Sequence, residues 1–79
     1  MARTITNQEA RKLSKSWTSL YGADHGGEIN LTNKENTWYA IGSELALLRL
    51  INCTPGLAGF TVQYARFGFY HINLEGFFA

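Results

Sequence analysis

The side chains best suited to catalysis are few in this chain and far apart. It holds one cysteine, Cys53, and two histidines, His25 and His71. A nucleophilic site needs a cysteine or serine beside a base that a third group orients, and zinc needs closely spaced Cys and His ligands. Only Asp24 and His25 are neighbours, and no catalytic or zinc-ligand spacing joins these residues. We therefore expect no enzymatic activity, no metal and no other cofactor.

Basic side chains concentrate near the N-terminus. The first fifteen residues hold four basic residues and one acidic residue, whereas the remainder holds three basic and five acidic residues. The net charge of +1 gives no overall attraction to nucleic acid. The local excess nevertheless makes Arg11, Lys12 and Lys15 candidates for contacting an acidic partner surface or a phosphate backbone. The alternative is an ordinary solvated helix face.

An aromatic segment near the C-terminus is the second candidate site. It reads Arg66-Phe67-Gly68-Phe69-Tyr70-His71-Ile72 and resembles the aromatic RNA-binding strand of the RRM family. That resemblance implies base stacking on a sheet. The segment lacks the first glycine of that motif, and the chain lacks the second aromatic motif and the β-α-β-β-α-β order of the family.

Alternation along this segment predicts which side chains a partner would meet. Tyr64, Tyr70, Ile72 and Leu74 share one parity and should face the helices. We therefore expect the partner-binding residues of this segment to lie elsewhere, on the opposite face or at the turn: Arg66, Phe67, Phe69 and His71. The alternative is that the Phe77-Phe78 tail folds back and covers them.

The element that organises the predicted fold is a long apolar helix over Asn36 to Asn52. Its apolar residues spread over about half of the helix circumference. Thr32 and Glu35 match a capping box at its start, and Pro55 ends it. This pattern predicts that Leu45 and Leu48, in the middle of the stripe, are nearly buried.

Shorter patterns complete the predicted fold. Thr6 and Glu9 form a second capping box before a helix over about 7–20, and 22–27 reads as a glycine-rich loop. Alternation predicts strands over 28–32, 60–65 and 69–74. The last two form a hairpin turning at 66–68, or one long bent strand. The prediction is an α+β domain of order α-β-α-β-β, with an antiparallel sheet and helices packed on one face.

Length and composition limit the function classes. Seventy-nine residues make one domain, 1–79, and 46% hydrophobic residues argue for a packed core. The sequence opens without an apolar leader, and its longest aliphatic run, Leu45 to Leu48, is too short to span a membrane. We expect a cytoplasmic protein without membrane contact. Cys53 is expected to be a half-buried thiol.

Size, aromatic content and the α-β-α-β-β order together resemble the small proteins that phages use against their hosts, in particular the anti-CRISPR proteins. That resemblance implies a non-enzymatic inhibitor, active in the host cell, that binds a Cas subunit or surveillance complex. Such binding would block target DNA recognition or nuclease recruitment. Two alternatives stay open: a small nucleic-acid-binding regulator, RRM-like or winged-helix-like, and a structural subunit that self-assembles, for example as a homodimer.

Overall fold

The computed structural model describes residues 5–22 and 27–78 of the chain. Within these residues, each of the two α-helices is followed by two strands. In chain order they are α1 (Asn7–Trp17) continued by a π-helical turn (Thr18–Gly22), β1 (Asn30–Lys34), β2 (Thr37–Gly42), α2 (Glu44–Cys53), a 3₁₀ turn (Pro55–Leu57), β3 (Gln63–Arg66) and β4 (Phe69–Asn73). Most of the predicted 22–27 loop, with Asp24 and His25, lies outside the described residues.

The capping box predicted at the start of α1 is confirmed. The backbone N–H of Glu9 donates to Thr6 Oγ1 at 3.1 Å, and the backbone N–H of Thr6 donates to Glu9 Oε1 at 2.9 Å. The other end differs, since the α-helix stops at Trp17 and a wider π turn follows. That change of pitch leaves Leu20 exposed and places Gly22 in the interior.

The first part of the predicted central helix is wrong, because residues 37–42 form strand β2. Burial alternates along this strand: Trp38 and Ala40 are buried, whereas Tyr39 and Ile41 are half-buried. The predicted capping residues Thr32 and Glu35 lie in β1 and in the turn after it.

Helix α2 therefore begins only at Glu44. Ser43 is its N-cap, and the Ser43 Oγ accepts from the backbone N–H of Ala46 at 3.2 Å.

The late start of α2 changes which of its side chains are buried. Leu45 and Leu48 were predicted to be nearly buried, but they are 52% and 42% exposed. Leu47 and Leu50 are fully buried in their place. The apolar stripe predicted over 36–52 included residues that belong to β2. Its centre was therefore rotated by part of a turn from the face of α2 that is buried.

The four strands form one antiparallel sheet in the order β1-β2-β4-β3. Strand β4, the last in the sequence, lies between β2 and β3, which are parallel to each other and joined through α2. This arrangement is a split βαβ unit. Both helices pack on one face of the sheet, over a single core formed by Ala10, Trp17, Ile29, Trp38, Ala40, Ala46, Leu47, Leu50, Leu57, Ile72 and Leu74.

The predicted α+β class, antiparallel sheet and helix packing are thus confirmed, and the observed order gains one strand to become α-β-β-α-β-β. The hairpin alternative for 60–74 is also confirmed. The Phe77-Phe78 tail is half-buried and packs against the core instead of covering the hairpin. Phe77 lies against Trp17 and Phe60, with ring centroids 6.2 Å apart in both pairs.

Candidate partner-binding surfaces

The β3–β4 hairpin turns on two residues, Phe67 and Gly68, with Arg66 paired to Phe69 across the turn. Both turn residues have positive φ, 51° for Phe67 and 80° for Gly68. This is the backbone of a type I′ turn, where Asn, Asp and Gly are preferred because a bulky side chain is strained. Phenylalanine is therefore an unfavourable residue at position 67.

Apolar surface at this hairpin is left open to solvent. The side chain of Phe67 is 86% exposed and that of Phe69 is 54% exposed. Within residues 5–22 and 27–78, no other aromatic ring packs against either of them. We call Arg66, Phe67 and Phe69 the hairpin tip.

The hairpin tip continues onto the sheet face that lacks helices. Register pairs Ile41 with His71 and Arg66 with Phe69, which places these side chains on the face opposite Ile72 and the core. The predicted orientation of Phe69 and His71 is therefore confirmed. On the same face the rings of Tyr39 and His71 pack with centroids 5.2 Å apart and planes tilted by 49°.

Tyr64 extends the exposed aromatic surface around the other side of the hairpin. Its ring meets Tyr70 edge-on at a centroid distance of 5.4 Å. The alternation placed Tyr64 toward the helices, and it does share that face with Tyr70. Most of the ring is nevertheless exposed, because α2 packs on β4 and β2 and does not reach far over the edge strand β3.

The basic residues of α1 lie away from the hairpin tip and on two different flanks of the helix. Arg11 and Lys15 line a groove between α1 and β1, whereas Lys12 lies on the other flank of the helix beside Ile5 and Leu13. Strands β1 and β3 are the two opposite edges of the sheet, about 14 Å apart at the usual strand spacing. The structure therefore does not join the predicted basic residues to the hairpin tip, and it divides them between two flanks of α1.

Three other features of the described residues bear on function: possible metal ligands, the cysteine thiol and the length of the helices. No group of three or more His, Cys, Asp and Glu side chains among them is placed to hold a metal ion. Cys53 is exposed, so the expectation of a half-buried thiol is wrong. None of the helices in the described part of the chain is both long enough and apolar enough to cross a membrane.

Comparison with known proteins gives no relative. No protein-family model matches the sequence, and neither a curated protein nor a solved structure is significantly similar to it.

Sequence patterns missed two parts of the open sheet face, Tyr39 and Ile41, because both were assigned to a helix. A signal for β2 was present. Thr37 to Ile41 is rich in aromatic and β-branched residues, which favours a strand. Glu35-Asn36 before it and Ser43 after it are suited to a turn and to a helix cap.

Proposed function

We propose that this chain is a non-enzymatic binding protein that inserts the hairpin tip into a partner protein. The observation that carries the proposal is Phe67, whose side chain is 86% exposed and whose backbone is left-handed. A residue observed with a strained backbone is a reason to look for function, because selection for stability alone would favour a less strained residue there.

Two costs coincide at Phe67. A non-glycine residue in the left-handed region costs roughly 1–2 kcal/mol, and an exposed phenyl ring gains nothing from burial. A two-residue turn tolerates asparagine or glycine there with less strain. Aromatic residues and arginine are enriched among the residues that dominate binding energy. The tip has Phe67, Phe69 and Arg66 in that combination.

The class is thus a small protein-binding domain, and the particular partner we propose is a host protein involved in defence against phage. The resemblance of size and composition to anti-CRISPR proteins makes a Cas subunit or surveillance complex the first to test. Binding there would inhibit target DNA recognition or nuclease recruitment. The additional strand β2 means that the resemblance does not extend to the element order on which it partly rested.

The experiment compares two asparagine variants placed at equivalent turn positions. Phe67→Asn removes the ring from the β3–β4 turn, and Glu35→Asn changes the β1–β2 turn, where Glu35 and Asn36 also have positive φ, 53° and 65°. Each variant is immobilised and exposed to purified Cas surveillance complexes and to host lysate, and retained proteins are quantified by mass spectrometry.

We expect a partner that the wild type and Glu35→Asn retain equally and that Phe67→Asn retains at least tenfold less, about 1.4 kcal/mol. Equal retention by the two variants would show that the hairpin tip is not the contact surface. Retention by the wild type of a purified Cas complex, with inhibition of DNA binding, would identify the proposed partner.

A second candidate function, binding single-stranded nucleic acid, is favoured by the open sheet face. The central strands β2 and β4 present Tyr39, Phe69 and His71 there, and register adds Lys34 and Arg66 at the two edges. Bases stack on aromatic side chains of such surfaces. Binding of a labelled oligonucleotide that weakens steeply with salt and is lost on Tyr39→Ala would support this function over protein binding.

Self-assembly can be distinguished from protein binding and from nucleic-acid binding by an experiment that needs no partner. Sedimentation of the purified chain over a range of concentrations measures the monomer and dimer populations directly. A dimer that dissociates on Phe67→Asn would make a second copy of this chain the occupant of the hairpin tip.

A further inference from the structure

Two hydroxyl groups one turn apart, in α1 and in the π turn after it, bond to the outer edge of β1 and to Ile29 just before it. Thr18 Oγ1 accepts from the backbone N–H of Ile29 at 2.8 Å and donates to the carbonyl of Ile29 at 3.0 Å. Ser14 Oγ accepts from the backbone N–H of Leu31 at 2.9 Å and donates to the carbonyl of Ala10 at 2.8 Å. These contacts cover backbone groups that an edge strand would otherwise expose.

The next contact in this series is missing. Four helical residues advance about 6.0 Å and two strand residues about 6.6 Å, so the pairs Thr18–Ile29 and Ser14–Leu31 should continue to Ala10–Asn33. Ala10 has only a methyl group. No hydrogen bond from α1 reaches the backbone of Asn33 in the described structure. The N–H and carbonyl of Ile29 and the N–H of Leu31 are therefore covered, whereas the edge is open at Asn33.

An open groove of about 810 Å³ begins at this place. One wall is a row of α1 residues at four-residue spacing, Asn7, Arg11 and Lys15, which extends about 12 Å. The other wall is β1, including Thr32 and Asn33.

The charges of this groove are unevenly distributed. Neither Arg11 nor Lys15 forms an ion pair with any residue in 5–22 or 27–78. Glu28 lies near the opposite end of the groove, where its carboxylate accepts from the side-chain amide of Asn30 at 3.4 Å.

We infer that this groove binds an extended acidic peptide segment of a partner protein. A segment of about four residues spans 12 Å, and its backbone would pair with Asn33 at the strand edge, the mode known as β-augmentation. Acidic side chains would meet Arg11 and Lys15 on the helix wall. This site is independent of the hairpin tip and of the function proposed for it.

A peptide fits this groove better than a nucleic-acid strand does. The edge of Asn33 offers a backbone N–H and a carbonyl side by side, which match the alternating groups of another extended peptide. The phosphate groups of a nucleic-acid strand have no donor for that carbonyl, and their charge continues past Lys15 toward the carboxylate of Glu28. A peptide can place its acidic side chains opposite Arg11 and Lys15 and an uncharged residue opposite Glu28.

The probe is a blocked hexapeptide in which threonine and glutamate alternate, compared with one in which glutamine replaces glutamate. Binding is followed through the backbone amide signals of the ¹⁵N-labelled full chain. Arg11→Glu combined with Lys15→Glu reverses the groove charge, and Lys12→Glu is the matched control on the other flank. Ala10→Ser supplies the missing hydroxyl.

We expect saturable binding of the glutamate peptide, with shifted and exchange-protected Asn33 amide, and affinity at least tenfold lower for the glutamine peptide. The double reversal should lower affinity at least tenfold, whereas Lys12→Glu should change it less than twofold. Ala10→Ser should weaken binding, because its hydroxyl can accept from the backbone N–H of Asn33, as the Ser14 hydroxyl accepts from that of Leu31.

Three results would overturn the inference. They are the absence of saturable binding, equal affinity for the two peptides, and equal losses in Lys12→Glu and the double reversal. A single-stranded oligonucleotide that displaces the peptide and binds more tightly would assign the groove to phosphate instead. The far-ultraviolet circular dichroism of each variant establishes that it is folded.

Discussion

Among single residues, Phe67 has the clearest conflict between backbone and side chain. Asparagine and glycine accept the left-handed region with little strain, whereas phenylalanine does not. Its ring is 86% exposed, so removing it sacrifices almost no buried surface. Replacing Phe67 with a residue that accepts the left-handed region should therefore stabilise the hairpin.

We predict that Phe67→Asn raises the free energy of unfolding by about 1 kcal/mol. Phe67→Ala is the control, because alanine keeps most of the left-handed strain and should leave stability nearly unchanged. Chemical denaturation measures both. A loss of stability in Phe67→Asn would mean that the ring contributes to the folded core, and the proposed contact surface would then be misplaced.

Exposure at this hairpin was partly foreseeable from sequence. Alternation assigned Phe69 and His71 to the open face, and a turn assigned Phe67 to its tip, because side-chain direction in a strand depends only on parity. Exposure of Tyr64 was not foreseeable. Alternation places Tyr64 on the face of the sheet that carries the core. Only the position of α2 over β2 and β4 shows that the Tyr64 ring extends past the helix layer.

Among the elements, α2 gives the sharpest test of burial, since adjacent leucines have opposite environments. Leu47 is fully buried and Leu48 is 42% exposed. Leu47→Ala should lower the free energy of unfolding by about 2–5 kcal/mol, whereas Leu48→Ala should lower it by less than about 1 kcal/mol. Thermal melts of the two variants check this. Similar melting temperatures would show that the helix is rotated from the position described.

The contrast between the two helices shows where sequence patterns succeed. The capping box of Thr6 and Glu9 fixed the start of α1, because both side chains bond the backbone locally. A pattern of the same kind at Thr32 and Glu35 failed. There the pairing of β1 with β2 across the Glu35-Asn36 turn takes precedence over a local helix start, as tertiary context often does.

For the whole molecule, the order of the strands determines what can fold alone. The predicted class, antiparallel sheet and helix layer followed from counting patterned segments. The position of β4 between β2 and β3 did not, since pairing between distant segments has no local signal. The α1–β1 groove was equally hidden, because it depends on how a helix lies against a strand edge.

We predict that a chain ending at Gly68 loses cooperative unfolding. That truncation removes β4 from the middle of the sheet, including Ile72, and takes with it Leu74, which is also buried in the core. Both β2 and β3 then lose a partner. Thermal denaturation followed by near-ultraviolet circular dichroism would show a broad, featureless change. A sharp transition in the truncated chain would mean that the first three strands form a stable unit.

The central position of β4 also has a consequence for synthesis on the ribosome. Strands β1, β2 and β3 are all translated before the strand that joins β2 to β3. Until β4 pairs with them, β2 has one unpaired edge and β3 has two. Such edges are prone to pair with other chains. Any delay before 69–73 becomes available for pairing would therefore prolong the interval in which β2 and β3 are vulnerable to aggregation.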